Sequence, residues 1–161
     1  MIMPAIRGLQ AVLALLVIML AEIPALAQTA ADPLAGRWEL VSQQRIADGE
    51  AGQEIPATDK TRGVWIYADG IWRSEGGLGD GSRGTYQWID PGRIRAVTLA
   101  SPFPRAVGRD RTIGVEIQGS QLRLTVTYSA HDMQEMAGLS RNGTKYPRKT
   151  VLISTLRRIE D

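Results

Sequence analysis

The chain consists largely of short stretches in which apolar and polar residues alternate, and each stretch ends at a turn signal. Three of these signals are Asp69-Gly70, Pro91-Gly92 and Gly119-Ser120, residue pairs that favour the backbone angles of tight turns. Alternation with a period of two places successive side chains on opposite faces of a strand. The pattern therefore predicts eight antiparallel strands joined mostly by tight turns.

An open antiparallel sheet of this size would expose two unpaired edges, which promote aggregation. Closing the sheet removes both edges, and eight strands enclose a space that side chains fill or that holds one small ligand. The sequential short connections thus favour an all-β fold, an eight-stranded antiparallel up-and-down β-barrel. The alternative is a two-sheet sandwich, which needs Greek-key crossovers between its sheets.

Residues 1–27 have the three-part layout of a secretory signal peptide. Arg7 precedes the unbroken apolar run "AVLALLVIML", and Ala25-Leu26-Ala27 matches the cleavage pattern. The run is about half of the roughly 20 residues that a membrane-spanning helix needs, so no stable membrane span is expected after cleavage. We expect residues 28–161 to form one domain; an uncleaved N-terminal anchor is the alternative.

The composition narrows the compartment and the partners. The chain has no cysteine, so an exported domain would depend on an ordinary core without disulfides, which favours a periplasmic or secreted location. The formal net charge is +2, which is too small to indicate a nucleic-acid partner.

Residues that face each other across a hairpin share one side of the sheet, so the turns predict which side chains point inward. A type II turn at Pro91-Gly92 would place Trp88 opposite Arg95 and Tyr86 opposite Val97. In the hairpin about Asp69-Gly70, which of the two faces points inward stays open. Aromatic side chains with a polar tip suit a cavity for amphipathic molecules. The predicted ligand-binding residues are Trp65, Tyr67, Tyr86, Trp88, Arg95, Val97 and Tyr128; the alternative is that the aromatic side chains simply fill the barrel.

Arg95 is the unusual member of this set. A buried arginine needs a partner, and the carboxylate of a ligand would supply two parallel hydrogen bonds. Alternatively, Arg95 lies near the strand end and its long side chain reaches solvent. The expected ligand is therefore a small hydrophobic or amphipathic molecule, neutral or anionic.

Gly36 and Trp38 at the start of the first strand resemble the lipocalin signature, and "GRWELVS" resembles its form in bacterial lipocalin-like domains. Three further matches follow in the same order as in that family. They are "GVWIYADG" at 63–70, Gly84-Thr85-Tyr86 and Arg158-Ile159. Together they span nearly the whole predicted domain.

The resemblance implies a structural role for the signature. Gly36 would let the chain turn tightly into the first strand, and Trp38 would plug the closed end of the barrel. An arginine of the last strand would cover the tryptophan ring in a cation–π contact. Arg158 is the candidate for this contact, with Arg157 as the alternative.

The resemblance also implies a function, the binding or carrying of a small molecule in the barrel. A second hypothesis is a lipocalin-like isomerase or dehydratase acting on a small apolar substrate. Its available polar groups would be Tyr67, Tyr86, Arg95 and His131. A third is a structural or partner-binding envelope protein with a filled core and an exposed apolar patch.

The residues offer little for catalysis or metal binding, so we predict no catalytic residue, metal site or cofactor. His131 is the only histidine. It falls in "SAHDMQEMAG", which reads as a short helix capped by Ser129 and Asp132 and ended by Gly138. His131 and Glu135 would share a face of this helix, but two ligands do not define a metal site.

Basic residues gather in two predicted loops. If both loops lie at the same rim of the barrel, they would attract acidic ligands or lipid head groups. The residues are Arg105, Arg109 and Arg111 in one loop, and Arg141, Lys145, Arg148 and Lys149 in the other.

Overall fold

A computed structural model describes residues 31–137 and 146–160. The predicted signal peptide (residues 1–27), the predicted helix end at Gly138, and Arg141 and Lys145 lie outside these residues.

The described residues form nine strands, one α-helix and two short 3-10 helices. The strands are β1 (Gly36–Ala47), β2 (Glu50–Pro56), β3 (Val64–Ala68), β4 (Ile71–Glu75), β5 (Arg83–Asp90), β6 (Arg93–Ala100), β7 (Asp110–Gln118), β8 (Gln121–Ser129) and β9 (Lys149–Ile159). The α-helix is α1 (Ala130–Ala137), and the 3-10 helices span Gly77–Gly79 and Pro104–Ala106.

The sheet closes on itself because β1 pairs with β9 along nearly its whole length. Trp38 lies opposite Arg158, and Leu40 lies opposite Leu156. Strands β3 to β9 follow one another in sequence order, all antiparallel, so β1 and β3–β9 form a closed eight-stranded up-and-down barrel. The predicted fold is confirmed, and the sandwich alternative is excluded, because the first and last strands belong to one sheet.

Strand β2 is a ninth strand beyond the eight that the alternation predicts, and all of its residues are exposed. It pairs with the second half of β1, from Ser42 to Ala47. The first half of the same edge of β1, from Gly36 to Glu39, pairs with β3. The hairpin is made by Asp48 and Gly49, whose φ angles are 50° and 90°. This Asp-Gly pair is the same turn signal as Asp69-Gly70 and could have predicted the hairpin.

Two of the predicted turns have the predicted register. Asp69 and Gly70 have φ angles of 50° and 74°, and the strands pair directly on either side of them. The hairpin about Gly119-Ser120 places Ile117 opposite Leu122 and Val115 opposite Leu124, as the alternation predicts. These registers set the inward faces of β3, β4, β7 and β8.

The turn at Pro91-Gly92 differs from its prediction. Gly92 is not among the glycines with positive φ that a type II turn needs. The Asp90 carboxylate instead accepts hydrogen bonds from Gly92 N (3.0 Å) and Arg93 Nε (2.7 Å). A bulge between Trp88 and Asp90 then shifts the pairing by one residue, so that Trp88 lies opposite Ile94 rather than Arg95.

One end of the barrel is closed by the segment that precedes β1. Leu34 and Trp38 are fully buried, and Trp38 Nε1 donates a hydrogen bond to Leu34 O (2.8 Å). Asp32 lies across the barrel end beside β5, where its carboxylate accepts hydrogen bonds from the Tyr86 hydroxyl and from Trp88 Nε1 (2.9 Å). The segment therefore links β1 to a strand on the other side of the barrel.

The glycine of the signature is explained by its position. Gly36 has φ +127°, a conformation that residues with a side chain rarely adopt. A Cβ atom at this position would also lie 3.2 Å from Nη1 of Arg158. Arg158 in turn lies 4.3 Å from the centre of the Trp38 ring and donates a hydrogen bond to Pro33 O (3.1 Å). The expected arrangement of Gly36, Trp38 and Arg158 is present.

Candidate functional site

The barrel encloses a cavity of about 270 Å³ on the open-end side of Trp38. Its volume is just below the roughly 300 Å³ at which ligand pockets usually begin. Most of the wall is apolar because the inward positions of six strands carry large hydrophobic side chains. The apolar lining residues are Trp65, Trp72, Ile94, Ala96, Ala106, Ile113, Leu124, Val126, Leu152 and Leu156.

Polar groups enter the cavity wall at a few positions. They are Gln43, Tyr67, Thr98, Arg111, Tyr128 and Ser154. Gln43 Nε2 donates a hydrogen bond to Ser154 Oγ (3.1 Å), so these two side chains are partners of each other in the wall. Among the described residues that line the cavity, Arg111 is the only one with a charged side chain.

Two tyrosines supply polar tips on this apolar wall. Burial raises the pKa of Tyr67 and of Tyr128 above the usual value for tyrosine, so both are neutral at physiological pH. Within residues 31–137 and 146–160 neither hydroxyl has a hydrogen-bond partner. Each can therefore donate to, or accept from, a polar group of a bound molecule.

The structure brings three of the predicted ligand-binding residues to the cavity, namely Trp65, Tyr67 and Tyr128. Tyr86 and Trp88 point inward too, but at the closed end, where both donate to Asp32. The rings of Tyr86 and Tyr67 contact each other nearly at right angles, with ring centres 5.3 Å apart. The position of Tyr86 supports the Tyr67 ring from below the cavity.

The predicted inward orientation of Arg95 and Val97 is wrong. The bulge before Asp90 turns both side chains to the outer face of β6, and the inward positions are Ile94 and Ala96. The Arg95 side chain is 55% exposed and forms a bidentate ion pair with Asp110 on β7. A shift of one residue in register exchanges the two faces of a strand. One bulge therefore reverses the predicted orientation of both residues.

Trp72 and Arg111 are two of the cavity-lining residues that were not predicted. Trp72 lies opposite Tyr67 across the Asp69-Gly70 hairpin and therefore shares a face with Trp65 and Tyr67. This shared face could have predicted that Trp72 lines the cavity. Arg111 was assigned to a loop, but it begins the inward face of β7, two positions before Ile113. Extending the alternation of β7 by one step toward its N-terminus would have found it.

The open end carries the helix and the basic loop together. The capping box of α1 is present, since Asp132 N donates to Ser129 Oγ (3.1 Å) and Ser129 N donates to the Asp132 carboxylate (2.9 Å). Arg109 forms an ion pair with Glu135, and Arg105 Nη1 donates to Glu135 O (2.6 Å). These contacts attach the β6–β7 loop to α1, and Lys149 begins β9 at the same end.

The only histidine is not part of the cavity. The His131 side chain is 78% exposed on α1, with Nε2 3.3 Å from Glu135 Oε1. The isomerase or dehydratase hypothesis depended on a histidine inside the barrel near a tyrosine, so its best proton-transfer group is missing from the site. In the described part of the chain, no cluster of three or more His, Asp or Glu side chains could hold a metal ion.

Comparison with known proteins gives a likeness to solved structures. No protein-family model and no curated protein sequence matches the chain. One such structure is the crystal structure of a lipocalin-like protein from Bacteroides uniformis. The two sequences are 20% identical, the TM-score is 0.45, and the match covers 78% of this chain and 98% of that chain.

The class of the protein follows from its own geometry. A closed eight-stranded up-and-down barrel with Trp38 under Arg158 at the closed end and a cavity above it is a lipocalin-like fold. None of the described helices is long and apolar enough to cross a membrane.

Proposed function

We propose that the protein is exported and that it binds or carries a small hydrophobic or amphipathic molecule in the barrel cavity. The observation that carries this proposal is the cavity itself, whose wall is mostly apolar with a few polar groups. This combination is typical of small-molecule sites, in which apolar surface provides affinity and isolated polar groups fix orientation.

The other hypotheses have less support. A structural or partner-binding protein was expected to have a filled core, whereas this barrel leaves about 270 Å³ open. An isomerase or dehydratase would have to work with tyrosines whose pKa is raised by burial, and such groups are poor general bases near neutral pH.

A displacement assay tests the binding proposal. The purified protein is titrated with an environment-sensitive fluorescent fatty acid, and decanol, decanoate and palmitate are added as competitors. We expect saturable binding of one probe per chain and displacement by the two shorter competitors at lower concentration, because the cavity is small. Absence of saturable binding of any of these compounds would contradict the proposal.

Export is tested separately. Expression of the full chain in a bacterium, followed by fractionation and N-terminal sequencing, should give a periplasmic protein that begins at Gln28. This product would retain Asp32 and the segment that closes the barrel. Recovery of the chain with Met1 intact in the membrane fraction would instead support the uncleaved anchor.

A further inference from the structure

Tyr67 lies in the deeper part of the cavity, toward the closed end of the barrel. Its strand places it opposite Gly36 at the start of β1. Its ring contacts that of Tyr86, whose hydroxyl donates to Asp32 at the closed end. Only 4% of Tyr67 is exposed. The polar tip of this side chain is therefore enclosed by the barrel and does not lie at the rim.

The enclosed hydroxyl of Tyr67 has no hydrogen-bond partner within residues 31–137 and 146–160. A buried polar group without a partner is unfavourable, and the large majority of such groups in folded proteins are paired. Because Tyr67 lines the cavity, a bound molecule can supply the missing acceptor. The fold therefore leaves one hydrogen-bond donor available at the deep end of a mostly apolar site.

The indole nitrogen of Trp72 is a second donor near this position. Trp72 lies opposite Tyr67 across the hairpin, and among the described residues its buried Nε1 has no hydrogen-bond partner. A Cβ atom at Gly84 would lie only 2.6 Å from this nitrogen, so the indole already packs against β5. A ligand atom has little room there, and the Tyr67 hydroxyl is the better donor for a bound molecule.

The electrostatic surroundings of Tyr67 favour a neutral acceptor over an anion. The Asp32 carboxylate lies behind Tyr86 on the closed-end side, and burial raises the pKa of Tyr67, so the hydroxyl keeps its proton. Arg111, the one charged residue in the described cavity lining, contacts the ring of Tyr128 near the open end of β8. An anion at Tyr67 would therefore be buried without a cation beside it, which is strongly unfavourable.

We propose that the Tyr67 hydroxyl donates a hydrogen bond to the ligand and that this ligand is a small apolar molecule with a neutral acceptor, such as a carbonyl oxygen. The inference rests on the proposed carrier function and specifies the ligand class and its orientation. The carbonyl oxygen lies toward the closed end, and the hydrocarbon part contacts apolar wall residues such as Leu124, Val126 and Leu152. A fatty acid would bind the other way round, with its carboxylate at the open end where solvent hydrates it.

Matched deletions of single hydroxyl groups test this assignment. Tyr67→Phe removes the deep donor, and Tyr146→Phe removes a hydroxyl from a residue that does not line the cavity. The probes are 2-octanone, octane and octanoate, which present a neutral acceptor, no acceptor and an anion. Tyr67→Phe should weaken binding of 2-octanone about 5–50-fold and leave octane and octanoate within about threefold, while Tyr146→Phe should change none of them.

The infrared carbonyl band of bound 2-octanone gives a second measurement, because a hydrogen bond lowers its frequency. In the unaltered protein the band should lie below its position in hexane, and in Tyr67→Phe it should return toward that position. This comparison begins with the unaltered protein and so does not depend on the folding of a variant. A band at the hexane position in the unaltered protein would overturn the assignment.

The binding data separate this inference from the carrier function. Equal losses for 2-octanone, octane and octanoate in Tyr67→Phe, or no loss of 2-octanone, would overturn the Tyr67 assignment alone. A larger loss of 2-octanone in Tyr128→Phe than in Tyr67→Phe would overturn the proposed orientation. If none of the three probes binds the unaltered protein, the carrier function and this inference both fail.

Discussion

The guanidinium of Arg158 lies 4.3 Å from the centre of the Trp38 ring and joins the last strand to the first at the closed end. Arg157, the neighbouring residue, points outward and forms an ion pair with Glu39 (2.9 Å). The two arginines thus differ in face but not in charge or strand. They form a matched pair for measuring what the cation–π contact contributes.

We expect Arg158→Gln to be energetically coupled to Trp38→Leu. Urea unfolding of the single and double variants should give a coupling energy of about 0.5–2 kcal/mol, the range of a cation–π contact. The corresponding cycle with Arg157→Gln should give a coupling near zero. Equal coupling in the two cycles would show that the ring contact does not stabilise the barrel closure.

Replacing Asp32 should weaken the closed end. In Asp32→Ala, the Tyr86 hydroxyl and Trp88 Nε1 both lose their acceptor, and unsatisfied donors of this kind cost about 1–3 kcal/mol each. Asp59→Ala, an exposed loop substitution, is the control and should change stability by less than about 0.5 kcal/mol. Similar denaturation midpoints for the two variants would contradict the role of Asp32 across the barrel end.

Gly84 should not accept any side chain. A Cβ atom there would lie 1.9 Å from Val97 O and 2.6 Å from Trp72 Nε1, and the backbone and the packed, partly buried Trp72 ring cannot both move away. At Gly92 the nearest atom would be 3.8 Å away, in ordinary contact. Gly84→Ala should therefore yield little folded protein and Gly92→Ala a normal yield, as measured by circular dichroism and melting. A normal melting temperature for Gly84→Ala would show that Trp72 does not pack on this strand.

Stability should fall in alkali because of the buried tyrosines. Burial raises the pKa of Tyr67 and Tyr86 in the folded protein, and the hydrogen bond to Asp32 raises that of Tyr86 further. Above the unfolded pKa of about 10, the unfolded chain loses protons that the folded chain keeps, so unfolding becomes easier as pH rises. Their stabilising effect is thus complete below about pH 10 and is lost above it.

Tyr67→Phe isolates one of these groups. Between about pH 10 and pH 12, the free energy of unfolding should fall less steeply in this variant, by up to about 1.4 kcal/mol per pH unit. Chemical denaturation at a series of pH values measures the slope. If the free energy of unfolding fell equally steeply with pH in Tyr67→Phe and in the unaltered protein, Tyr67 would have the same pKa in the folded and unfolded states.

The barrel could be predicted from the sequence because its turns and strand faces are determined by residues close together in the chain. Asp69-Gly70 and Gly119-Ser120 fix the registers of their hairpins, and alternation fixes the inward face of β7 and β8. Closure followed from counting strands, and the Trp38–Arg158 contact followed from the resemblance. Strand β2 was not predicted because its residues are mostly polar and all exposed, although Asp48-Gly49 carries the turn signal.

The site was predicted less well, because one bulge cannot be read from alternation. The Asp90 carboxylate accepts a hydrogen bond from Gly92 N at the turn, and β5 contains an extra residue between Trp88 and Asp90. This extra residue exchanges the faces of Arg95 and Ile94 relative to the prediction. The role of Asp32 was also beyond local patterns, since its partners Tyr86 and Trp88 lie far along the chain. Long-range contacts of this kind require the closed barrel before they can be seen.

Blocking the cavity tests the central claim most directly. Val126 lines the cavity, whereas Val97 lies on the outer face, so Val126→Trp fills the binding space and Val97→Trp is the matched control. With the fluorescent fatty acid as probe and melting temperature as a check on folding, we expect Val126→Trp to lose at least tenfold in affinity, about 1.4 kcal/mol. Val97→Trp should bind as the unaltered protein does. Undiminished probe binding by a folded Val126→Trp variant would show that the ligand does not occupy the barrel.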